Sequence, residues 1–185
     1  MKDDQDAAQD EAGSGEGVAG ETADRLSPAL SASVARFIRR LEDIESQSSR
    51  PQANAEVLTA ATTEAIAEMQ RACEEFEQRV GHDAMVIRHA QVAFREKTRR
   101  IFSASYFNRA RIWPQGYQGD YLMLEYLYNN IPGSSGIGYY LNTYLLATTL
   151  AEAVRQRKTT LEGLLKTELK NRKGARVLDI ACGSC

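Results

Sequence analysis

Leu30, Val34, Phe37, Leu41 and Ile44 follow one another at steps of three and four residues. Only a helix gathers such positions onto one face. Ser27-Pro28 precedes the run, and serine suits the N-cap as proline suits the first helical turn. The polar run Ser46-Gln47-Ser48-Ser49-Arg50-Pro51 ends it. A second helix is expected over about 53–80, where Ile66, Met69, Cys73, Phe76 and Val80 form a seam of alternating three- and four-residue steps. Cys73 lies on that seam and reads as a buried, inert thiol. Gly81 is placed to cap its end.

A third helix is expected from about residue 83 to 105, with the stripe Ile87, Ala90, Phe94 and Ile101. The second and third are long enough to pair antiparallel. Arg95, Lys97, Arg99 and Arg100 cluster in the C-terminal half of the third, where cations favour the helix dipole. His82 and His89 have no companion acid or cysteine that completes a metal set, so no metal site is expected.

Ahead of these helices, residues 1–26 are a different material. Asp3, Asp4, Asp6, Asp10, Glu11, Glu16, Glu21 and Asp24 are interleaved with alanine and glycine, and no aromatic residue occurs. Such a segment buries too little to offset about 1–2 kcal/mol of chain entropy per residue, and a disordered acidic tail is expected. It has no apolar core of a secretory signal, and no stretch of the chain approaches the ~18 apolar residues of a membrane span, so a cytoplasmic location is the default expectation. Three cysteines in such a chain do not suggest a disulfide framework. The formal net charge of -2 argues against a generally basic nucleic-acid binder.

Residues 106–128 are aromatic-rich, and within them stands Gly116-Tyr117-Gln118-Gly119-Asp120-Tyr121. Two glycines mark a tight loop, and Asp120 is suited to cap a following helix over about 121–129. Tyrosines in such a loop either shape a small-molecule pocket or merely pack it over the core. Beyond the glycine-rich connection 131–138, one long helix is expected over about 139–170. Its face is Tyr140, Tyr144, Ala147, Ala151 and Val154, with burial extended by Leu161, Leu164, Leu165 and Leu169.

Residues 176–180 read as a short buried strand through Val177, Leu178 and Ile180. A helix, a turn, a strand and then a glycine loop open a nucleotide-binding α/β unit. The loop Asp179-Ile180-Ala181-Cys182-Gly183-Ser184-Cys185 resembles the first motif of class I S-adenosylmethionine-dependent methyltransferases, an acid followed by a small-residue turn. The family usually has glycine where Ala181 and Cys185 stand here. Together with Gly116–Tyr121 and Ala153-Val154-Arg155-Gln156-Arg157-Lys158, in that order, it is similar to bacterial methyltransferases associated with 3-hydroxy fatty acid methyl esters.

The resemblance implies that S-adenosylmethionine is held by Asp179, Ala181, Cys182, Gly183, Ser184 and Cys185. It implies a pocket lined by Tyr117, Asp120 and Tyr121, and the charges of Arg155 and Arg157 suit a cofactor or substrate carboxylate. The fold expected is a mainly α-helical N-terminal region leading into the first strand of a truncated Rossmann-like α/β methyltransferase domain. Its divisions fall at 27–110 (helical), 111–174 (helical cap and pocket) and 175–185 (start of the cofactor domain). The expected activity is O-methylation of a small molecule or fatty-acid-type carboxylate by the intact protein, the fragment itself being inactive. Catalytic residues are not identified. The alternative is a non-catalytic helical module that dimerises or binds a partner through its N-terminal helices.

Overall fold

The computed structural model describes residues 26–116 and 120–178. Among these, eight helices account for all the regular structure: α1 Pro28–Ser48, α2 Ala55–Arg79, α3 Ala84–Lys97, α4 Arg99–Phe102, α5 Tyr106–Ile112, α6 Tyr121–Asn129, α7 Gly136–Leu146 and α8 Thr149–Leu169. The acidic segment 1–25 lies outside the described residues.

The first helix forms as its sequence dictates. The Ser27 hydroxyl accepts from Leu30 N, proline occupies the first turn, and Leu30, Val34, Phe37, Leu41 and Ile44 are all buried. Leu26, just ahead of the cap, is buried with them. α2 starts at Asn54, whose side chain accepts from Glu56 N and Val57 N, and it buries Leu58, Thr62, Ala65, Ile66, Met69 and Phe76. α1 and α2 pack along their lengths as the principal helix pair, and α7 lies across both. Their shared core takes Ile101 and Phe102 from α4 and Ile137, Tyr140 and Leu141 from α7. The seam of α2 is therefore used inside the molecule.

The second and third helices do not form the expected close antiparallel pair. α3 buries only Ala90 and Ala93, and it ends at Thr98, where the backbone turns into α4. The Thr98 hydroxyl donates back to Phe94 O at 2.6 Å. α3 therefore stands off from α2, and a groove runs between them.

The long helix expected over 139–170 is two helices. The Thr148 side chain accepts from Ala151 N and caps α8, so the chain turns where the apolar pattern alone runs on. A smaller core forms at this corner from Leu127, Leu146 and Ala151, with Tyr106, Leu145 and Val154 packed on it. Beyond Val154, α8 buries no residue, and Leu161, Leu164 and Leu165 are exposed rather than extending the core.

α7 comes very near the turn between α4 and α5. A Cβ on Gly138 would sit 2.6 Å from the Ala104 carbonyl oxygen, so glycine is required for that approach. Next to it, the fully buried Asn142 accepts from Tyr106 N at 2.7 Å and donates to Pro132 O and to Ser134 Oγ at 2.6 and 2.9 Å. One side chain thereby ties α5, the 130–135 connection and α7 together.

The expected first strand of a Rossmann-like α/β domain is not found. Residues 175–178 follow the end of α8 as irregular chain, Val177 and Leu178 are 59% and 84% exposed, and no strand occurs among the described residues. The physical reason is the lack of a partner: a strand's N–H and C=O groups need a neighbouring strand, and none of the described residues supplies one. The described molecule is all-α. Ile180 and the rest of 179–185 lie outside the described residues.

Candidate functional site

The loop singled out by its glycines joins α5 to α6. α5 ends at Trp113, which takes a left-handed conformation (φ 46°), and Gly116 follows with φ 80°. The Trp113 indole donates to Ala110 O at 2.7 Å, and Gly116 N donates to Trp113 O at 2.7 Å, which closes the turn. Tyr117 lies outside the described residues, and Tyr121, the first residue of α6, is 40% exposed.

Asp120 is 2% exposed and fully engaged. It caps α6 by accepting from Met123 N at 3.0 Å. It also receives a fork from Arg109, Nε to Oδ1 at 2.8 Å and Nη2 to Oδ2 at 2.6 Å. The Arg109 guanidinium holds the Asp120 carboxyl below the usual carboxylate range, against the opposing effect of burial. Asp120 is thus an ionised anchor that fixes α6 to α5. The capping role was legible in the sequence; Arg109, its partner one helix earlier, was not.

Arg155 anchors the other end of α6. Its Nη2 donates to Leu146 O, the last carbonyl of α7, at 2.9 Å. Its Nη1 donates to Leu127 O at 3.5 Å and to Asn130 Oδ1 at 3.2 Å. Glu152 Oε2 holds the same guanidinium from the preceding turn at 2.7 and 3.1 Å. A cation placed on the unsatisfied carbonyls of two helix ends stabilises both. Arg157 is exposed on α8 and bonds to neither Arg155 nor Asp120. Lys158 stacks over the Tyr128 ring at 4.8 Å.

Tyr106 is set between these anchors. Its ring stacks on Tyr126 with centroids 4.2 Å apart and planes 5° from parallel, and its hydroxyl donates to Ile131 O at 2.7 Å. Burial, and then proximity to Tyr126, pushes its phenol above the ordinary value. The aromatic wealth of 106–128 thus serves packing at this point.

Other arginines of the basic cluster are neutralised. Arg99 pairs with Glu96, and Arg100 bridges Glu42 and Glu45 on α1. Arg95 and Arg111 have no such ion pair among the described residues. Both line the groove between α2 and α3, of about 440 Å³, with Leu30, Phe76, Ile87 and Ala90. A second groove of about 390 Å³, lined by Phe37, Ile66, Met69, Phe102, Phe107 and Tyr144, shares Arg111, Phe94, Cys73 and Glu77 with the first. Cys73 is half-buried at this junction, and its thiol is raised above the ordinary value by burial and then by Glu77 and Glu74.

Asp179, Ala181, Cys182, Gly183, Ser184 and Cys185 lie outside the described residues. No described helix is long and apolar enough to cross a membrane. Comparison of the chain with protein-family models, curated proteins and solved structures gave no match.

Proposed function

We propose that this chain is the helical part of an S-adenosylmethionine-dependent methyltransferase that methylates an oxygen of a small molecule. The observation that carries the reading is that the two upstream elements of the resemblance converge on one helix. Asp120, from Gly116–Tyr121, fixes the start of α6, and Arg155, from Ala153–Lys158, fixes its end. Two segments more than thirty residues apart thus act on the same nine-residue helix. The third element, Asp179 to Cys185, follows them in the chain.

The residues of that last element suit the cofactor by their chemistry. Asp179 offers a carboxylate to an ammonium or hydroxyl, and Ala181, Gly183 and Ser184 are small enough to let backbone N–H groups approach a ligand. When bound, S-adenosylmethionine supplies a methyl group on a sulfonium, the electrophile for an acceptor oxygen. The helices would position that acceptor, and alignment of two reactants is a major source of rate in such transfers.

Calorimetric titration of the protein with S-adenosylhomocysteine and with NAD tests the reading. S-adenosylhomocysteine should bind, and Asp179→Ala should weaken it by about tenfold or more, the loss of one charged hydrogen bond. Binding of NAD in preference to S-adenosylhomocysteine would sink it.

A further inference from the structure

Arg111 is a half-buried arginine whose charge the described residues leave without a carboxylate. Its side chain leaves α5 and enters the space where the two grooves meet. Its guanidinium carbon lies 4.1 Å from the centre of the Phe102 ring and 5.6 Å from that of Phe94. Nη2 donates to Thr98 Oγ1 at 3.0 Å. That is its one hydrogen bond among the described residues, from a group with five N–H donors. Burial, and then the nearby charge of Arg95, pushes the Arg111 guanidinium down to about 10. Arg95 sits over the face of Trp113, its guanidinium carbon 5.9 Å from the ring centre. Glu77 lines both grooves and Glu74 the second, yet neither is ion-paired with Arg95 or Arg111. A half-buried cation beside a like charge is destabilising unless an anion completes it.

The chain carries the missing anions in one block. Residues 1–25 hold eight carboxylates against two cations, Lys2 and Arg25. The formal net charge of the whole chain is -2, so the remainder is net positive. Opposite charge on two parts of one chain draws them together without any other partner.

The point of attachment favours this groove over other basic surfaces. Leu26 is buried in the main core, and Leu30, one helical turn on, lines the first groove with Arg111 and Arg95. Phe76 lines that groove and also the small recess that holds Ser27, with Glu75 and Arg79 on its rim. The acidic block is therefore tethered at the mouth of the groove. Glu21 stands five residues before Leu26, and a coil of that length spans roughly 12 Å. Over so short a tether the effective concentration is of order millimolar, so weak contacts suffice. Lys170, Lys173 and Arg176 near the end of α8 are exposed, and exposed, hydrated cations gain little from a carboxylate.

We propose that the acidic segment before Leu26 lies back over the α2–α3 groove, with Glu21 against Arg111 and Arg95. Arg111 has donors to spare for a fork on a carboxylate, the geometry that arginine satisfies best. Val18, the one apolar residue larger than alanine between Lys2 and Arg25, then covers the wall of Leu30, Phe76 and Ile87. Glu77 and Glu74 repel the segment from the α2 rim and confine its carboxylates to the arginine side. The groove is thus closed by the chain itself, and salt or a competing anion opens it. This contact does not depend on the methyltransferase reading.

Cys73 is the natural reporter, because it is half-buried and lines both grooves. The full chain is treated with iodoacetamide, and mass spectrometry of its peptides follows Cys73 apart from Cys182 and Cys185. The triple variant Glu16→Gln, Glu21→Gln, Asp24→Asn should react several-fold faster at Cys73 than the parent. Sodium chloride at about 0.5 M should speed the parent and barely change the variant.

Melting at low salt supplies the second readout. The triple substitution should lower the melting temperature where Arg111 is present, since it strands that cation. Arg111→Met should melt no lower than the parent, because apolar replacement of a half-buried ion pair is neutral or stabilising. In the Arg111→Met background the triple substitution should then have no effect, which a purely local role of either site does not produce. An unchanged Cys73 rate in the triple variant overturns the proposal, as does an equal melting loss with and without Arg111. Protection of Cys73 that grows with protein concentration would place the segment on a second copy and overturn the contact within one chain.

Discussion

Asp120 combines two jobs that are usually separate, a helix cap and one half of a shielded ion pair. Its folded carboxyl titrates below its unfolded value, so its contribution to stability is complete above about pH 4 and fades as pH falls through the folded value. Asp120→Asn keeps a capping oxygen but loses the charge that Arg109 grips. The variant should melt several degrees lower at pH 7. Its melting temperature should also fall less steeply than the parent's between pH 4 and pH 2. Thermal melts across that range check both points, and parallel curves would show that the pair is not a source of acid sensitivity. Arg155 shows that charge alone does not name every partner: Glu152 supplies a carboxylate to it, but helix ends take its other donors. Its remaining N–H groups reach the carbonyls of Leu127 and Leu146.

Among the elements, the apolar stripe of α1 was fully legible, because period and burial coincide there at Leu30, Val34, Phe37, Leu41 and Ile44. The helix breaks at Thr98 and Thr148 were not. Threonine is tolerated inside helices, and it becomes a stop only when tertiary packing turns the chain. Thr148→Ala removes the bond to Ala151 N and should cost about 1 kcal/mol in chemical denaturation. An unchanged midpoint would mean that the small core around Leu146 and Ala151 holds the corner unaided. The leucines on α8 depart from expectation for a related reason. Periodicity reveals that a helix has an apolar face, but not whether anything lies against it. The strand expected at Val177 and Leu178 is absent among the described residues for a similar reason, since composition signals strand preference and pairing supplies the stability. Arg109 and Arg111 gave no sequence signal at all, because their meaning lies in Asp120 and in Phe94, Phe102 and Thr98.

Across the whole molecule, stability is unevenly distributed. The main core joins α1, α2, α4 and α7 with Ala90 and Ala93 of α3, the smaller core joins α6, α7 and the start of α8, and the rest of α8 buries nothing. Amide hydrogen exchange should therefore be slowest in α1, α2 and α7, and faster beyond Val154. Equal protection along all of α8 would require a partner surface on Leu161, Leu164 and Leu165 that the described residues do not contain.

The placement of Arg111 carries a consequence for anyone who would improve this protein. A side chain that is awkward for the folded chain by itself is what a blind search for heat tolerance removes first. Directed evolution for thermal survival should converge on methionine or leucine at position 111. The hardened variants would be well folded, and the place where the two grooves meet would have lost its cation.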